Sequence, residues 1–357
     1  MASPLRFELT TPVLDDRPVY VSGNFCGWHP NLDSLRLWPT GPGCYALDLP
    51  AEVELPDVLE YKFTRGGWDQ AELDLAGDVP PNRVSHQKTG VLRAVVPHWR
   101  WFGLAYNPHF LPKLGMIDEE FAVPQLQTTR RVRVLVPYDY ENTDKRYPVL
   151  YLHDGQNLIG AGSAYGSWEI DRRLAVLASR HHHELIVVAI DHGAENRLIE
   201  FTPDRTMAGT GEGRKYLDFV ACTLKPAIDA LFRTEPGTAH TGIGGSSLGG
   251  LISLYAGLVY PTVFGRLLIF SPSLWLSRTV FTTAARGRIP AGTKWYLYGG
   301  ESESASMVPG LKRFVDALRK PPQQQRMAIQ LTTNPQGTHS ESCWGNEFPA
   351  AVEWLFY

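Results

Sequence analysis

The sequence predicts an α/β fold, with a mostly parallel sheet and helices on both faces, preceded by a small antiparallel β-sandwich. Three observations lead to this prediction. Residues 1–97 carry short alternating runs separated by Gly, Pro and Asn, as antiparallel strands do. After residue 128, near-continuous apolar runs such as 149–152 indicate strands buried on both faces. Amphipathic stretches lie between those runs, and this alternation is typical of layered α/β proteins.

The elements follow in order. In the first domain, runs such as 19–21, 44–49 and 59–64 are short strands. Residues 98–127 are rich in Pro, Trp and Phe and form a predicted connector, part of it an edge strand. In the second domain, 128–357, a period-two run opens the sheet, and buried strands follow at 149–152, 185–190, 267–270 and 295–298. The predicted helices cover 168–180, 214–232, 248–259, 308–318 and 348–356.

Composition excludes several classes of protein. The chain has 357 residues, 43% of them hydrophobic and 20% charged, so it is not mainly disordered. A net charge of −3 leaves no basic footprint for nucleic acid. No apolar run reaches the ~18 residues of a membrane span, and no secretion signal is visible, so a cytoplasmic protein is expected. The four cysteines form no CxxC pair, and we expect neither a disulfide framework nor a cysteine zinc site.

The strongest motif is GGSSLGG at 244–250, in which residues 245–249 fit G-x-S-x-G between a strand-like stretch and a helix. This context predicts a strained turn that exposes the hydroxyl of Ser247 above the sheet. The amide of Leu248 then lies at a helix start, where it stabilises an oxyanion. The alternative is a glycine- and serine-rich turn without chemistry. Ser246 is in the wrong register and is expected to be an ordinary turn hydroxyl.

A nucleophilic serine needs a base and an acid. His339 is the one histidine downstream of Ser247, so any downstream histidine base is this residue. The alternative interpretation is that His339 is a surface-loop histidine without a catalytic role. The acid is expected after the strand at 295–298, where Glu301 and Glu303 follow two glycines. Asp316 falls inside a helical pattern and is a poor candidate.

Six segments of residues 128–357 resemble the esterase D-like family of α/β-hydrolases, which includes enterochelin and feruloyl esterases. The segments are YLHDGQN at 151–157, GSWEID at 166–171, GGSSLGG at 244–250, SPSLW at 271–275, GESE at 300–303 and HSESCW at 339–344. The resemblance favours Glu303 as the acid and implies Gln156 as the second oxyanion amide. It suggests Trp168 and Trp275 as pocket residues, with core packing as the alternative for each. Arg197 is implied as a substrate contact, with a structural salt bridge as its alternative.

The first domain resembles starch- and glycogen-binding modules through GNFCGW at 23–28, EYKF at 60–63, GWD at 67–69 and PNR at 81–83. The resemblance implies a glucan site at Trp28, Lys62, Trp68 and Asn82, in which flat rings meet the sugar and polar groups meet its hydroxyls. The spacing of Trp68 and Asn82 departs from the family. The alternative is a β-sandwich that packs on the second domain and binds no sugar.

These residues predict a serine carboxylic ester hydrolase that needs no cofactor and no metal. Its expected partner is a small-molecule or carbohydrate ester, including siderophore-linked esters, and neither nucleic acid nor membrane. One alternative is an acyltransferase with the same Ser-His-Glu triad. Another is a carbohydrate-binding protein with a silent hydrolase domain, against which the presence of all three triad residues argues. The natural ester and the oligomeric state are not predicted.

Overall fold

The computed structural model describes residues 5–74, 79–104, 106–181, 183–320 and 327–357. The chain divides into two compact units. The first unit comprises Met1–Phe110 and Ser179–His181, and the second comprises Leu111–Ala178 and His182–Tyr357. The main division therefore falls between Phe110 and Leu111, inside the predicted connector.

The first unit is built from nine strands within the described residues. They are β1 Leu5–Thr10, β2 Val19–Gly23, β3 Arg36–Gly41, β4 Cys44–Asp48, β5 Leu59–Thr64, β6 Glu72–Leu73, β7 Arg83–Ser85, β8 Gly90–Val95 and β9 His98–Trp99. Seven of them join in the order β7-β5-β2-β3-β4-β1-β8, and β6 pairs with β9. Alternation in β1 buries Leu5, Phe7 and Leu9, as expected for a strand with one covered face.

One pairing in this unit departs from the prediction of an antiparallel domain. β1 and β8 are parallel, with Leu5 opposite Gly90 and Thr10 opposite Val95. Parallel neighbours cannot be joined by a tight hairpin, and here the rest of the unit connects the two strands. The period-two patterns predict the strands themselves but carry no information on which strands become neighbours.

The second unit contains one eight-stranded sheet. Its strands are β10 Lys113–Val123, β11 Thr128–Val136, β12 Val149–His153, β13 Ile186–Ile190, β14 Thr241–Ser246, β15 Arg266–Phe270, β16 Lys294–Gly300 and β17 Ala328–Asn334. The order is β10-β11-β13-β12-β14-β15-β16-β17, so β10, from the predicted connector, lies at an edge. Five neighbouring pairs are parallel, and the two pairs that involve β11 are antiparallel.

Helices cover both faces of this sheet. They are α1 Ile170–His181, α2 Arg197–Glu200, α3 Gly213–Phe219, α4 Lys225–Leu231, α5 Leu248–Val259, α6 Thr279–Arg286, α7 Met307–Leu318 and α8 Glu341–Phe356. Successive strand residues point to opposite faces. Tyr151 accordingly belongs to a core that includes residues of α3, α5 and α7, whereas Leu152 belongs to a second core that includes α1 and α8.

Several helices differ from the prediction, and the short helix α2 is one that was not predicted. The single helix expected at 214–232 is divided by a π-helical segment, Val220–Leu224, between α3 and α4. The last helix begins at Glu341 rather than at 348, and it contains Pro349. α6 was not predicted. No helix in the described parts of the chain is both long enough and apolar enough to span a membrane.

The carboxyl ends of the parallel strands meet at one edge of the sheet, where open α/β sheets bind their ligands. Ser247 follows β14, and Ser271 follows β15. Glu303 comes shortly after β16, and His339 comes in the loop after β17. The topology therefore gathers at one edge residues that are far apart in the sequence.

Candidate active site

Ser247 occupies a strained turn between β14 and α5. Its φ and ψ are 55° and −117°, a conformation that side chains other than glycine rarely adopt. Its N–H donates to the carbonyl of Phe270 at 3.0 Å, which ties the turn to the neighbouring strand. A Cβ on Gly245 would lie 2.9 Å from the backbone carbon of Gly249, so the helix can start this close to the strand only with glycine.

Glu303 and His339 are hydrogen-bonded. His339 Nδ1 lies 2.7 Å from Glu303 Oε2, while Glu303 Oε1 accepts from the Gly300 N–H at 2.7 Å and from Ser271 Oγ at 2.6 Å. The Glu303 side chain is 2% exposed. Burial raises the pKa of Glu303, but the hydrogen bonds from His339, Ser271 and Gly300 outweigh burial and hold that pKa below its ordinary value. Glu301 is exposed and accepts from Thr333 instead.

Trp344 contacts His339 directly and Glu303 through Ser271. Its indole Nε1 donates to Ser271 Oγ at 2.9 Å, and the same hydroxyl donates to Glu303. Its ring meets the His339 imidazole edge to face, with 4.8 Å between centroids. The sequence motifs include Ser271 and Trp344, but their patterns gave no role for either. The imidazole is thus held by Glu303 at one nitrogen and packed against the ring of Trp344.

Ser247 and His339 line the same cavity, which has a volume of about 480 Å³. Ser273 Oγ lies 3.3 Å from Ser247 Oγ, and its N–H donates to the Ser247 carbonyl. Trp275 also lines the cavity, and it is 81% exposed. The other lining residues are Ser271, Pro272, Leu274, Phe281, Glu303, Ser304, Ser306, Met307, Gly310 and Arg313.

Trp168, in contrast, is a core residue, and the expectation that it lines a substrate pocket is corrected. It is 2% exposed and stacks on Phe270 with 5.4 Å between ring centroids. Trp344 and Phe348 pack beside it. The backbone N–H of Trp168 donates to the carbonyl of Asn157, so Trp168 supports the loop after β12. A sequence cannot distinguish a buried tryptophan of this kind from one at a pocket wall.

Gln156 and Leu248, the expected oxyanion donors, lie at the first turns of helical segments. Gln156 is in the short 3₁₀ turn Gly155–Asn157 after β12, and Leu248 is the first residue of α5. N–H groups at a helix start have no acceptor within the helix and so are available to an anion. Arg133 Nη2 donates to the Gly155 carbonyl at 2.7 Å and fixes the turn.

Gly155 allows a close approach between this turn and the neighbouring strand. A Cβ there would lie 2.6 Å from Asp191 Oδ1 and 3.0 Å from the Ala189 carbonyl carbon, so this glycine allows the turn to pack against β13. Asn157 connects the turn to the last helix, since its Nδ2 donates to Glu341 Oε1 at 3.1 Å. Burial raises the pKa of Glu341 above its ordinary value.

Arg197 forms a bidentate ion pair with Asp154, which is the structural salt bridge named as the alternative to a substrate contact. Its Nε and Nη2 lie 2.6 and 2.8 Å from the two carboxylate oxygens. Arg197 is not among the residues that line the cavity. Next to this pair, His153 Nδ1 bonds the Tyr216 hydroxyl at 2.9 Å, and burial lowers the pKa of His153 to about 4. His153 is therefore neutral at physiological pH and braces the strand end.

The four residues of the expected glucan site are only partly available to a sugar. Trp28 and Trp68 lie with ring centroids 6.1 Å apart, tilted by 50°, and Trp68 is 38% exposed. The Lys62 side chain is largely buried and donates its ammonium to the Pro80 carbonyl. Burial lowers the pKa of Lys62. Asn82 Nδ2 donates to a Glu60 carboxylate oxygen at 2.9 Å.

His, Cys, Asp and Glu are the side chains that most often hold metal ions in proteins. Over the described ranges, no three such side chains are arranged to hold a metal ion. All four cysteines are free thiols.

Comparison with known proteins agrees with the fold. The family described as "Putative esterase" matches residues 124–355. The Bacillus subtilis (strain 168) uncharacterized protein YbbA is 25% identical over 242 residues, 64% of this chain and 92% of YbbA. The siderophore triacetylfusarinine C esterase of Aspergillus fumigatus is 31% identical over 137 residues, 36% of this chain and 44% of that esterase.

Among solved structures, the enterobactin esterase Fes of Shigella flexneri, crystallised with enterobactin, matches with a TM-score of 0.56 and 18% identity. The match covers 98% of this chain and 92% of Fes. At this identity the likeness concerns the fold alone, and it extends over the residues of both units.

A sheet with a serine at a strained turn of its carboxyl edge, together with these comparisons, defines a carboxylic ester hydrolase. Since the match covers well over half of its length, the chain belongs to the putative esterase family.

Proposed function

We propose that the second unit hydrolyses carboxylic esters through Ser247, His339 and Glu303. The observation that carries the proposal is the 2.7 Å hydrogen bond from His339 to a buried Glu303, at a cavity that Ser247 also lines. An acid that holds one imidazole nitrogen leaves the other free to act as the base. The nucleophile, base and orienting acid follow the chain order Ser, acid, His that is typical of this fold.

The proposed reaction has two steps. His339 Nε2 takes the proton of Ser247 while Oγ attacks the ester carbonyl, and the imidazolium then protonates the leaving alcohol. Water, deprotonated by His339, attacks the acyl-enzyme, and the acid product leaves with Ser247 restored. Glu303 stabilises the imidazolium in both steps. The amides of Leu248 and Gln156 stabilise the oxyanion, each worth about 3 kcal/mol. No step requires a cofactor.

The proposed substrates are small esters, including carbohydrate-linked and siderophore-linked esters. Support for the latter comes from the relatives named for triacetylfusarinine C and enterobactin. An acyltransferase with the same triad is the remaining alternative, because it differs only in which nucleophile enters the cavity. Hydrolysis of an ester in the presence of rising alcohol concentrations separates the two, since a transferase produces the new ester instead of the acid.

The test is hydrolysis of short p-nitrophenyl esters by wild type, Ser247→Ala and His339→Ala. We expect both variants to lose activity by at least about 10³-fold. Matched controls are Ser246→Ala, the neighbouring serine in the other register, and His240→Ala, a half-exposed histidine paired with Glu235. Both controls should retain activity. Activity that survives in Ser247→Ala, with folding checked by circular dichroism, contradicts the mechanism.

A second proposal concerns the first unit, a β-sandwich in our interpretation, and places a sugar against Trp28 and Trp68. The paired, partly exposed rings favour this proposal. The engagement of Lys62 and Asn82 within the protein limits the site to ring contacts. Titration with a maltooligosaccharide tests it: Trp68→Ala should abolish binding, and Trp38→Ala, an exposed tryptophan elsewhere in the unit, should not. Unchanged binding in Trp68→Ala excludes the site.

A further inference from the structure

Helix α7 presents a stripe of three residues to the cavity that holds Ser247. Met307, Gly310 and Arg313 all line it, at the three-residue spacing that puts side chains on one face of a helix. The guanidinium of Arg313 lies over the ring of Phe281, with 4.3 Å to the centroid, and Phe281 lines the same cavity from α6. A cation on an aromatic face is held in place without its N–H donors being used.

Arg313 has no carboxylate partner within the described residues, where it forms neither an ion pair nor a hydrogen bond. Among the described residues that line the cavity, Glu303 is the one carboxylate, and its two oxygens are occupied by His339, Ser271 and Gly300. The N–H donors of Arg313 therefore have no acceptor among the described residues, at the wall of the cavity in which an ester would bind. A guanidinium donates in a planar fork that fits a carboxylate or similar anion.

The charged side chains around Arg313 are also mainly positive. A neighbouring groove of about 380 Å³ is lined by Arg313, Arg286 and Lys320, and Asp316 is the acidic residue among the described residues that line it. The cations outnumber the carboxylate, so the local field favours an anion. The cavity itself adds an apolar surface from Trp275, Leu274 and Met307.

We propose that Arg313 binds an anionic group of the substrate, so that the enzyme selects esters that carry a negative charge as well as an apolar body. This inference rests on the proposed function and names its substrate class. The anion would pair with the guanidinium fork, while the apolar part of the ester contacts Trp275 and Met307. Because such a contact exists before and during the reaction, it should act mainly on KM rather than on kcat.

The test compares esters that differ only in charge. Mono-4-nitrophenyl succinate and its methyl ester place the charge on the acyl side, and 4-acetoxybenzoate and its methyl ester place it on the alcohol side. For at least one pair, we expect wild type to prefer the charged member in kcat/KM. Arg313→Gln should lower that preference about tenfold through KM, and Arg313→Lys should retain part of it. In Arg313→Gln, rates on the neutral esters should change less than rates on their charged partners.

Lys312→Gln is the matched control, because Lys312 is the adjacent exposed cation on α7 and does not line the cavity. If Lys312→Gln lowers the preference as much as Arg313→Gln does, the preference comes from the overall positive charge of the region and not from a contact with Arg313. The proposal is then wrong. Equal charged-to-neutral ratios in wild type and Arg313→Gln for both pairs also overturn it.

A binding measurement keeps this inference separate from the proposed function. Tryptophan fluorescence, to which Trp275 at the cavity contributes, follows binding of 4-phenylbutyrate and of the neutral 4-phenylbutanamide without turnover. The anion, 4-phenylbutyrate, should bind more tightly to wild type than to Arg313→Gln. The neutral 4-phenylbutanamide should bind the two proteins with similar affinity. Absence of any ester hydrolysis contradicts the proposed function, whereas equal anion binding by the two proteins contradicts the role of Arg313.

Discussion

Arg197 donates to both carboxylate oxygens of Asp154, and Asp154 in turn contacts two separate segments of the candidate active site. Asp154 precedes the turn that contains Gln156, and its own φ is 57°. A Cβ on Gly249, in the first turn of α5, would lie 2.9 Å from Asp154 Oδ2, so this oxygen packs directly on the helix start that carries Leu248. Asp154 therefore connects the ion pair with both segments that carry the proposed oxyanion donors.

Arg197→Gln should destabilise the protein and slow catalysis together. The Asp154 side chain is 6% exposed and would lose its only ion-pair partner among the described residues. We expect a loss of about 2 kcal/mol in the free energy of unfolding, below the range for a fully buried pair because Arg197 is itself 25% exposed. Urea denaturation measures the loss. Arg172→Gln, which breaks an exposed pair with Glu169, is the control and should cost about 0.5 kcal/mol or less.

Glu303→Gln should lower kcat by about 10³-fold or more, because the amide cannot stabilise the imidazolium and can hold the wrong tautomer. Glu301→Gln changes an exposed carboxylate that contacts Thr333 and should leave kcat within about two-fold of wild type. Steady-state kinetics on one p-nitrophenyl ester compares them. A large loss in Glu301→Gln with normal activity in Glu303→Gln would reverse the assignment of the acid.

The depressed pKa of Glu303 has a consequence for stability. A carboxyl group whose pKa is lower in the folded than in the unfolded protein stabilises the fold above its unfolded pKa. That contribution is lost as the pH falls through the lower, folded pKa. The difference in unfolding free energy between wild type and Glu303→Gln should therefore be constant near neutral pH and shrink below about pH 4.5. Urea denaturation over a pH series measures it, and a difference that grows on acidification contradicts the inference.

Trp344→Phe should affect catalysis through Ser271. The variant removes the Nε1 donor of a buried hydroxyl and part of the wall against His339, so Glu303 is less firmly held. We expect a loss of about 2 kcal/mol in stability and a several-fold lower kcat, with KM unchanged. Trp354→Phe alters another tryptophan of α8 that packs on Tyr296. It should lower thermal stability without a comparable change in kcat.

The sequence predicts much of the sheet because its strands are apolar on both faces. The run at 149–152 corresponds to β12, and that at 267–270 corresponds to β15, each extended by one residue. The π-helical segment Val220–Leu224 was not predicted, although Pro226, just after it, marks a place where the regular hydrogen bonding of the helix is interrupted. The early start of α8 was missed because Gly345 and Pro349 suggest a break where the tertiary packing keeps a helix.

In the candidate site, too, the features set by local sequence were predictable, and those set by tertiary contacts were not. Ser247 was predictable because its turn demands glycines at fixed local spacing, and His339 because no other histidine follows it. The hydroxyl of Ser271, which connects Glu303 with Trp344, depends on contacts between segments that come together only in the folded sheet. The sequence left two alternatives open for Trp168 and for Arg197 for the same reason, since burial and ion pairing are properties of the tertiary structure.

The pairing of β12 with β14 also bears on how the chain reaches its native state. Val149 lies opposite Thr241, and β13 and the helices α1 to α4 separate the two strands along the chain. This central contact closes a long loop, so its entropic cost is incurred before most of the sheet can form. Refolding should therefore be slow, and partly folded chains with unpaired β12 and β14 edges should aggregate as protein concentration rises.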